Sequence, residues 1–252
     1  MTWAVVTGAS GGLGRAYARY LASCGLSVVL TGRREAELRG LASELRQLWA
    51  ATTLVRRCDL ADPCDRAALL GELDDLEVDT LVNNAGFGMI GAVADSDAKK
   101  LSDMVTLNCV ALTDLTRAVL PGMVRRGQGS IVNVASTAAF QPIPTMAAYA
   151  ASKAYVLRFT EGLWAEVAGT GVRTVAICPG PTDTAFFEAA GNDAVMSKRR
   201  TPEQVVQTTF SALRANRPAV IDGPANALLA VASRFVPTRM ALRVARLVVS
   251  ER

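Results

Sequence analysis

The chain has 252 residues, half of them apolar and a fifth charged, a composition typical of a folded globular protein rather than a disordered or fibrous one. It contains no histidine, which excludes Ser-His-Asp and Cys-His hydrolases and any histidine-containing zinc site. The net charge of +4 comes from the five arginines and one glutamate of residues 234–252, so the body is neutral and we expect no nucleic-acid partner.

The first predicted element is a short buried strand over residues 2–7, which runs directly into a glycine-rich turn. This turn, Gly8-Ala-Ser-Gly-Gly-Leu-Gly14, opens a predicted helix over residues 13–24 that Gly25 ends. Such a turn lets backbone N–H groups and the helix dipole face a pyrophosphate at close range. We therefore expect it to bind cofactor phosphates, the alternative being an ordinary flexible turn. The candidate residues are Gly8, Ser10, Gly12, Leu13 and Gly14.

The second strand, over residues 27–31, ends at Gly32-Arg33-Arg34, and a helix is predicted from Glu35 to Trp49. In dinucleotide folds an acid at this strand end accepts a hydrogen bond from the adenosine ribose, whereas an arginine accommodates a 2′-phosphate. Here the acid is missing, Gly32 leaves room, and Arg33 and Arg34 are planar cations. The sequence therefore predicts NADP (NADPH) as the cofactor, with NAD as the alternative. The competing interpretation of the arginines is a solvated helix start.

Three further predicted strands also lead to polar residues. A strand over residues 53–57 is closed by Cys58-Asp59-Leu60, after which Asp62-Pro63 begins a helix. A strand over residues 78–82 ends at Asn83-Asn84-Ala85-Gly86, and a strand after the long predicted helix 98–126 leads to Ser136. That helix contains Asn108 in an otherwise apolar stretch. A buried amide needs partners, so Asn108 either caps a local backbone kink or serves a site.

The alternation of strands and helices continues through a helix over residues 149–168 and a strand over residues 172–178, and no linker or repeat interrupts it. It predicts one α/β domain over residues 1–252, with a Rossmann-type doubly wound parallel sheet of about seven strands and helices on both faces, in three layers. Ligands of such sheets bind at the carboxyl ends of the strands. The segments at such ends are the glycine turn, Asn83 to Gly86, Ser136 and Pro179 to Thr184.

A tyrosine and a lysine four residues apart, Tyr149 and Lys153, lie on one face of the predicted helix 149–168. The ammonium would sit below the phenol and lower its pKa, which makes the pair a candidate proton-transfer device in a chain without histidine. Ser136 could hydrogen-bond a substrate oxygen beside the phenol. The alternative is a helical surface pair.

Taken in order, these motifs resemble the short-chain dehydrogenase/reductase superfamily over about residues 3–222. Thr7 to Gly14 is similar to its cofactor turn, Asp59 with Leu60 to its adenine contact, and Asn83 to Gly86 to its sheet-stabilising turn. Gly8, Gly11 and Gly14 also fit the spacing of longer, epimerase-type members, but the short chain and the Asn-Asn-Ala-Gly turn favour the compact reductase type. Further cofactor-binding residues implied by the resemblance are Asn84, Ala85, Gly86, Tyr149, Lys153, Pro179, Gly180, Thr182 and Thr184. The last four of these residues would hold the nicotinamide.

The same resemblance implies a catalytic tetrad of Asn108, Ser136, Tyr149 and Lys153. Tyr149 would be the general acid in reduction and the base in oxidation. Lys153 would lower the pKa of Tyr149 and hold the nicotinamide ribose, Ser136 would polarise the carbonyl, and Asn108 would hold a water that relays protons to Lys153. No metal is expected. The alternatives are an NAD-dependent dehydrogenase and a non-catalytic dinucleotide sensor.

The residues that match the family's substrate pocket are mostly apolar. They are Phe87, Met89, Ala138, Ala139, Phe140, Ile143, Met146, Phe186 and Phe187. An apolar ketone, aldehyde or secondary alcohol is the expected substrate, although several of these residues would otherwise simply pack in the core or at a subunit contact. Residues 183–201 resemble a lid over this pocket. Lys198-Arg199-Arg200 at its end would meet an acyl-carrier phosphate or form a solvated charged run.

Residues 224–252 are predicted as a C-terminal helical extension with an apolar and a basic face. It would contact an anionic membrane surface, dock on a partner subunit, or cover the protein's own pocket. Family analogy also implies a homodimer or homotetramer through the helices near residues 100–126 and 149–168. Five scattered cysteines, no signal sequence and no apolar run of about 18 residues predict a cytoplasmic protein with reduced thiols.

Overall fold

A computed structural model describes residues 2–183, 200–233, 239, 240 and 242 of the chain. In this part of the chain, seven parallel strands form one sheet in the order β3-β2-β1-β4-β5-β6-β7, which confirms the predicted Rossmann-type architecture. The order reverses between β1 and β4, which is where doubly wound sheets bind ligands, in a cleft outside the carboxyl ends of the strands. The strands are Trp3–Thr7 (β1), Ser27–Gly32 (β2), Thr53–Arg57 (β3), Val78–Asn83 (β4), Gly129–Val134 (β5), Val172–Cys178 (β6) and Ala219–Ile221 (β7).

Helices cover both faces of the sheet. They are Gly12–Ser23 (α1), Glu35–Trp49 (α2), Pro63–Asp74 (α3), Ala98–Val105 (α4), Leu112–Arg126 (α5), Ala147–Glu166 (α6), Pro202–Arg214 (α7) and Pro224–Ser233 (α8). Two 3₁₀ turns, Val93–Asp95 and Thr137–Phe140, and a π-helical segment, Thr106–Ala111, complete the described elements. The predicted start of α3 is confirmed, because the Asp62 side chain accepts from the N–H groups of Cys64 and Asp65 with Pro63 in the first turn.

The central strand β1 divides the hydrophobic core into two layers. Ala4 and Val6 face the layer formed with α1, α2 and α7, whereas Trp3 and Val5 face the layer formed with α3, α5 and α6. Successive side chains of a strand point to opposite faces, so an unbroken apolar strand fills both layers. Because the strands are buried on both faces, their register in the sheet is fixed. The positions of the polar residues that follow each strand are therefore fixed as well.

The helix predicted over residues 98–126 is not one regular α-helix. Its middle six residues, Thr106–Ala111, are π-helical, and they contain Asn108. A π-helical turn carries one residue more than an α-helical turn, and such turns are frequent at functional sites. The local irregularity that Asn108 suggested in the sequence is therefore present, as a wider turn within a continuing helix.

Several sequence predictions lie outside the described residues. These are the contacts of Thr184, Phe186, Phe187, Lys198 and Arg199, most of the lid 183–201, and most of the C-terminal extension beyond α8. Among the helices that the structure describes, none is both long and apolar enough to cross a bilayer.

Candidate active site

The glycine turn between β1 and α1 approaches other backbone too closely to carry side chains at two positions. Gly8 has a left-handed backbone with φ of +64°, and a Cβ there would lie 3.0 Å from the Ala85 Cα. At Gly14 a Cβ would lie 2.3 Å from the Gly8 carbonyl oxygen. Gly11 precedes α1 and offers no side-chain cap, so the first N–H groups of that helix are suited to an anion.

Two arginines follow β2 beside this turn, as the sequence predicts. The Arg34 guanidinium donates to the Ser10 carbonyl at 2.9 Å, which brings it to the glycine turn. Arg33 lies 4.0 Å from the Asp59 carboxylate at the end of β3, and both side chains are well exposed. Exposed pairs of this kind contribute little to stability, so the Arg33 guanidinium can turn to an anionic ligand at low cost. Ser10, Arg33, Arg34 and Asp59 thus lie along one edge of the cleft.

The turn after β4 is tied to the glycine turn through Thr7. The Thr7 hydroxyl accepts from the N–H groups of Asn84 and Ala85, each at 2.9 Å, and the Asn84 side-chain amide donates to the Thr7 carbonyl at 2.8 Å. One residue earlier, Asn83 donates to the Asn133 side chain of β5 at 2.9 Å. These bonds link the carboxyl ends of β1, β4 and β5, as expected for the sheet-stabilising turn that the resemblance implies.

The π-helical segment turns Asn108 toward the same edge. Asn108 is only 2 % exposed, and its amide nitrogen donates to the Phe87 carbonyl at 3.1 Å and to the Ser152 hydroxyl at 3.0 Å. Its carbonyl oxygen accepts from the Phe87 N–H at 3.2 Å. Gly86 lies between Asn108 and Lys153, since a Cβ there would be 2.9 Å from the Asn108 oxygen and 3.4 Å from Lys153 Nζ. The structure therefore brings Asn108 and Lys153 to one small space.

Tyr149 and Lys153 lie in α6 and are both buried, at 7 % and 5 % exposure. Ser136 follows β5, where its hydroxyl accepts from the Ala138 N–H, and it forms a hydrogen bond with the Tyr149 side chain. Lys153 Nζ lies 5.9 Å from the centre of the Tyr149 ring and donates to the Val134 carbonyl at 2.8 Å. The four residues of the expected tetrad thus converge where β4 and β5 end.

The pKa of Tyr149 differs from the sequence-based expectation. Burial raises it to about 12, and the hydrogen bond with Ser136 opposes this rise only in part. Burial also lowers the pKa of the Lys153 ammonium to about 8. The expected acidification of the phenol by the ammonium is therefore wrong for the protein without ligand, because the cost of burying a charge exceeds the attraction between the two side chains.

Tyr149 belongs to a small apolar cluster. Its fully buried members are Met104, Ala138 and Tyr149, and the partly buried ones are Phe87, Met89, Leu101, Ile143, Met146 and Ala148. Five of the residues matched to the family's substrate pocket belong to it. Phe140 and Ala139 do not, because they pack into a separate cluster with Leu112, Val156 and Leu157. Their packing favours the core interpretation for these two residues.

The segment after β6 continues the same edge. The Pro179 carbonyl accepts from the Thr137 N–H at 2.9 Å, and the Thr182 hydroxyl donates to the Gly180 carbonyl at 3.1 Å. Arg200 is paired with the buried carboxylate of Asp222 at 2.6 Å. Arg200 is therefore held in an ion pair within the protein, an arrangement that neither interpretation of the charged run foresaw.

Two polar residues of this region were missed in the sequence. Ser152 accepts from Asn108 and donates to the Tyr149 carbonyl at 2.7 Å, the back-bonding typical of a small hydroxyl within a helix. Asp222 follows β7 directly. The rule that polar residues at strand ends mark a site would have found it. Within the described residues, no group of three or more histidine, cysteine or acidic side chains is arranged to hold a metal ion.

Comparisons with known proteins agree with this geometry. A family model described as short chain dehydrogenase matches residues 2–194. Sulfoacetaldehyde reductase 2 of Chromohalobacter salexigens is 41% identical over 189 residues, which cover 72% of this chain and 73% of that protein. Because the family model matches well over half of its length, the chain belongs to the short-chain dehydrogenase/reductase family and is an oxidoreductase.

Solved structures extend the likeness over the whole chain. A short-chain dehydrogenase from Sphingobium yanoikuyae in complex with NADPH superposes with a TM-score of 0.85 at 31% identity, covering 100% of this chain and 96% of that one. The bulky-bulky ketone specific alcohol dehydrogenase from Comamonas testosteroni superposes with a TM-score of 0.80 at 28% identity, covering 100% and 94%.

Proposed function

We propose that this protein transfers a hydride between NADP(H) and an apolar ketone, aldehyde or secondary alcohol, with Tyr149 as the acid–base group. The observation that carries the proposal is the buried Tyr149, which is hydrogen-bonded to Ser136 and packs in an apolar cluster. When bound, the nicotinamide supplies the hydride. The protein supplies orientation, a proton and an apolar surface.

The protonated phenol of Tyr149 could act as the general acid in reduction. With a pKa of about 12, the phenol keeps its proton at neutral pH and is ready to give it to a carbonyl oxygen that gains negative charge. Ser136, hydrogen-bonded to Tyr149, would donate to the same oxygen. Lys153, with a pKa of about 8, is mostly charged at neutral pH and stabilises the phenolate that remains. Asn108 would position a water beside Lys153.

The side chains beside Gly32 favour NADP over NAD as the cofactor. Ser10, Arg33 and Arg34 surround the space beyond Gly32, where the adenosine ribose lies in dinucleotide folds. Gly8 and Gly14 allow the tight turn and its close contact with neighbouring backbone, and the uncapped first N–H groups of α1 would face a pyrophosphate. One solved relative, from Sphingobium yanoikuyae, is in complex with NADPH and another, from Burkholderia phymatum, with NAD, so the preference rests on the two arginines.

The side chains around Tyr149 support an apolar substrate. Phe87, Met89, Ile143 and Met146 are uncharged and pack in the cluster that contains Tyr149, where they would line the substrate pocket. Methionines adapt to different shapes, so we expect tolerance of several bulky ketones rather than selection of one. The bulky-ketone dehydrogenase is a precedent on this fold. A small anionic aldehyde, as in the name of the sulfoacetaldehyde reductase, finds no cation among these residues.

Self-association through the α4–α5 and α6 faces completes the proposal. Val105, Val110 and Tyr155 are exposed on these helices, and Tyr155 stacks on Phe159. Burial of this surface in a homodimer or homotetramer would remove apolar area from water. Light scattering of the purified protein measures the state directly, and a monomer at micromolar concentration would contradict this part.

The test of the activity compares Tyr149→Phe with Tyr155→Phe, a matched change six residues further along α6. NADPH consumption is measured against ketones graded in chain length and polarity. We expect Tyr149→Phe to reduce turnover by about 10²–10⁴-fold with little change in NADPH affinity, since one acid–base group typically contributes that much. Tyr155→Phe should remain active. Unchanged turnover in Tyr149→Phe would remove the phenol from the mechanism, and NADPH binding without consumption would favour a dinucleotide sensor.

A further inference from the structure

A buried carboxylate at the end of β7 holds an arginine from a distant part of the chain. Asp222 is 1 % exposed, and its Oδ2 accepts from Arg200 Nε at 2.6 Å. Its Oδ1 accepts from the Thr208 hydroxyl of α7 at 2.7 Å. Because a buried charge without a partner is costly, this arrangement fixes the Arg200 side chain in one position.

The main chain of Arg200 is in turn bonded to the segment after β6. Arg200 N–H donates to the Pro181 carbonyl at 3.2 Å, and Asp183 N–H donates to the Arg200 carbonyl at 3.0 Å. Thr182 forms a parallel bridge with Arg200 between these two bonds. Anything that fixes Arg200 therefore also fixes Pro181, Thr182 and Asp183.

Asp222 also holds the beginning of the same segment from the opposite side. Its N–H donates to the Cys178 carbonyl at 3.1 Å, and its carbonyl accepts from the Asn226 side chain at 2.7 Å. The Asn226 amide fills the space beside Gly180, where a Cβ would lie 2.3 Å from the amide nitrogen. One buried residue thus connects both ends of residues 178–183.

We propose that the Asp222–Arg200 ion pair is a positioning pair that sets the conformation of residues 179–183 for the nicotinamide half of the cofactor. This rests on the proposed function, in which these residues receive the nicotinamide. Neither side chain touches the reacting atoms. The pair acts through the backbone of Pro181 and Thr182, so its loss impairs binding and orientation of the nicotinamide and leaves the adenosine half unaffected.

The test compares two ligands that share the adenosine half. NADPH reaches both ends of the cleft, whereas adenosine 2′,5′-bisphosphate reaches only the edge with Arg33 and Arg34. Affinities for both, together with kcat, are measured for wild type, Asp222→Asn and Arg200→Met at a temperature well below each Tm. We expect NADPH affinity and kcat each to fall about tenfold or more in both variants, the usual effect of losing a charge-assisted bond, with bisphosphate affinity unchanged.

The control is Arg158→Met, which removes an exposed ion pair with Glu161 on α6 and should change none of these quantities. Should Asp222→Asn fail to fold, Thr208→Val removes a single bond to the same carboxylate and should give a smaller split in the same direction. Two results would overturn the proposal: a lowered Tm with unchanged NADPH affinity and kcat, or an equal loss of affinity for NADPH and for the bisphosphate. If wild type binds neither ligand, the proposed function itself fails, which is a distinct result.

Discussion

Lys153 and Tyr149 illustrate how burial and charge compete within one turn of a helix. Their spacing could be read from the sequence, and so could their shared face. The sign of the pKa change could not, because it depends on how completely the surrounding chain excludes water. In the structure burial prevails for both groups, raising the pKa of Tyr149 and lowering that of Lys153.

The buried ammonium of Lys153 predicts a stability that rises with pH. Its pKa is about 8 in the folded protein, below the ordinary value of 10.5. Between pH 8 and pH 10.5 the unfolded chain therefore binds more protons than the folded protein. The penalty for burying the charge is complete below pH 8 and is relieved as the pH rises toward 10. Urea unfolding should therefore show wild type gaining about 2 kcal/mol relative to Lys153→Met between pH 7 and pH 10.

The comparison with Lys153→Met cancels the titration of all other groups. Tyr149 does not interfere in this range, since its raised pKa affects stability only above its ordinary value of 10, where it acts in the opposite sense. A difference between the two proteins that is independent of pH would mean that the Lys153 ammonium is solvated.

We expect Arg33 to give the protein its preference for NADPH over NADH. The Arg33→Ala variant loses a cation beside the adenosine ribose, and a charge-assisted bond to phosphate contributes about 2 kcal/mol, so kcat/KM for NADPH should fall roughly 30-fold. Turnover with NADH, which has no 2′-phosphate, should hardly change. The matched control is Arg39→Ala, which breaks an exposed ion pair between Arg39 and Glu35, both in α2. Equal losses with both cofactors in Arg33→Ala would remove the arginine from the preference.

The π-helical turn between α4 and α5 shows what periodicity can and cannot predict for an element. The apolar repeat of residues 98–126 indicated a long helix correctly, because both halves pack on the sheet. The extra residue per turn leaves no mark on such a repeat over so short a distance. Only the polar Asn108 hinted at it, and its partners Phe87 and Ser152 come from other elements.

Deletion of Val110, an exposed residue within this turn, tests its purpose. A π turn holds one extra residue, so the deletion should restore a regular helix and withdraw Asn108 from Lys153. We expect turnover to fall at least about tenfold, while unfolding free energy falls by about 1–3 kcal/mol for the lost Asn108 bonds. Val110→Ala removes the side chain alone and should keep both. Full activity after the deletion would show that the site does not need the π turn.

The complete molecule assembles its site from strand ends that are far apart in the sequence. Gly8, Asn84, Ser136 and Pro179 could be assigned to one edge because parallel strands align their carboxyl ends. The pairing of Arg200 with Asp222 and the direction of Phe140 could not be assigned. They depend on which buried neighbour accepts each side chain, and that is decided by the packing of α7, α8 and β7 rather than by local pattern.

A crystal structure with NADP⁺ and an unreactive ketone bound together tests the central claim most directly. The account predicts that the ketone oxygen lies about 2.6–3.2 Å from the Tyr149 hydroxyl, as proton transfer requires. Its carbonyl carbon should lie about 3–3.5 Å from C4 of the nicotinamide, as hydride transfer requires. A nicotinamide ring bound too far from Tyr149 for one ketone to reach both would contradict the account.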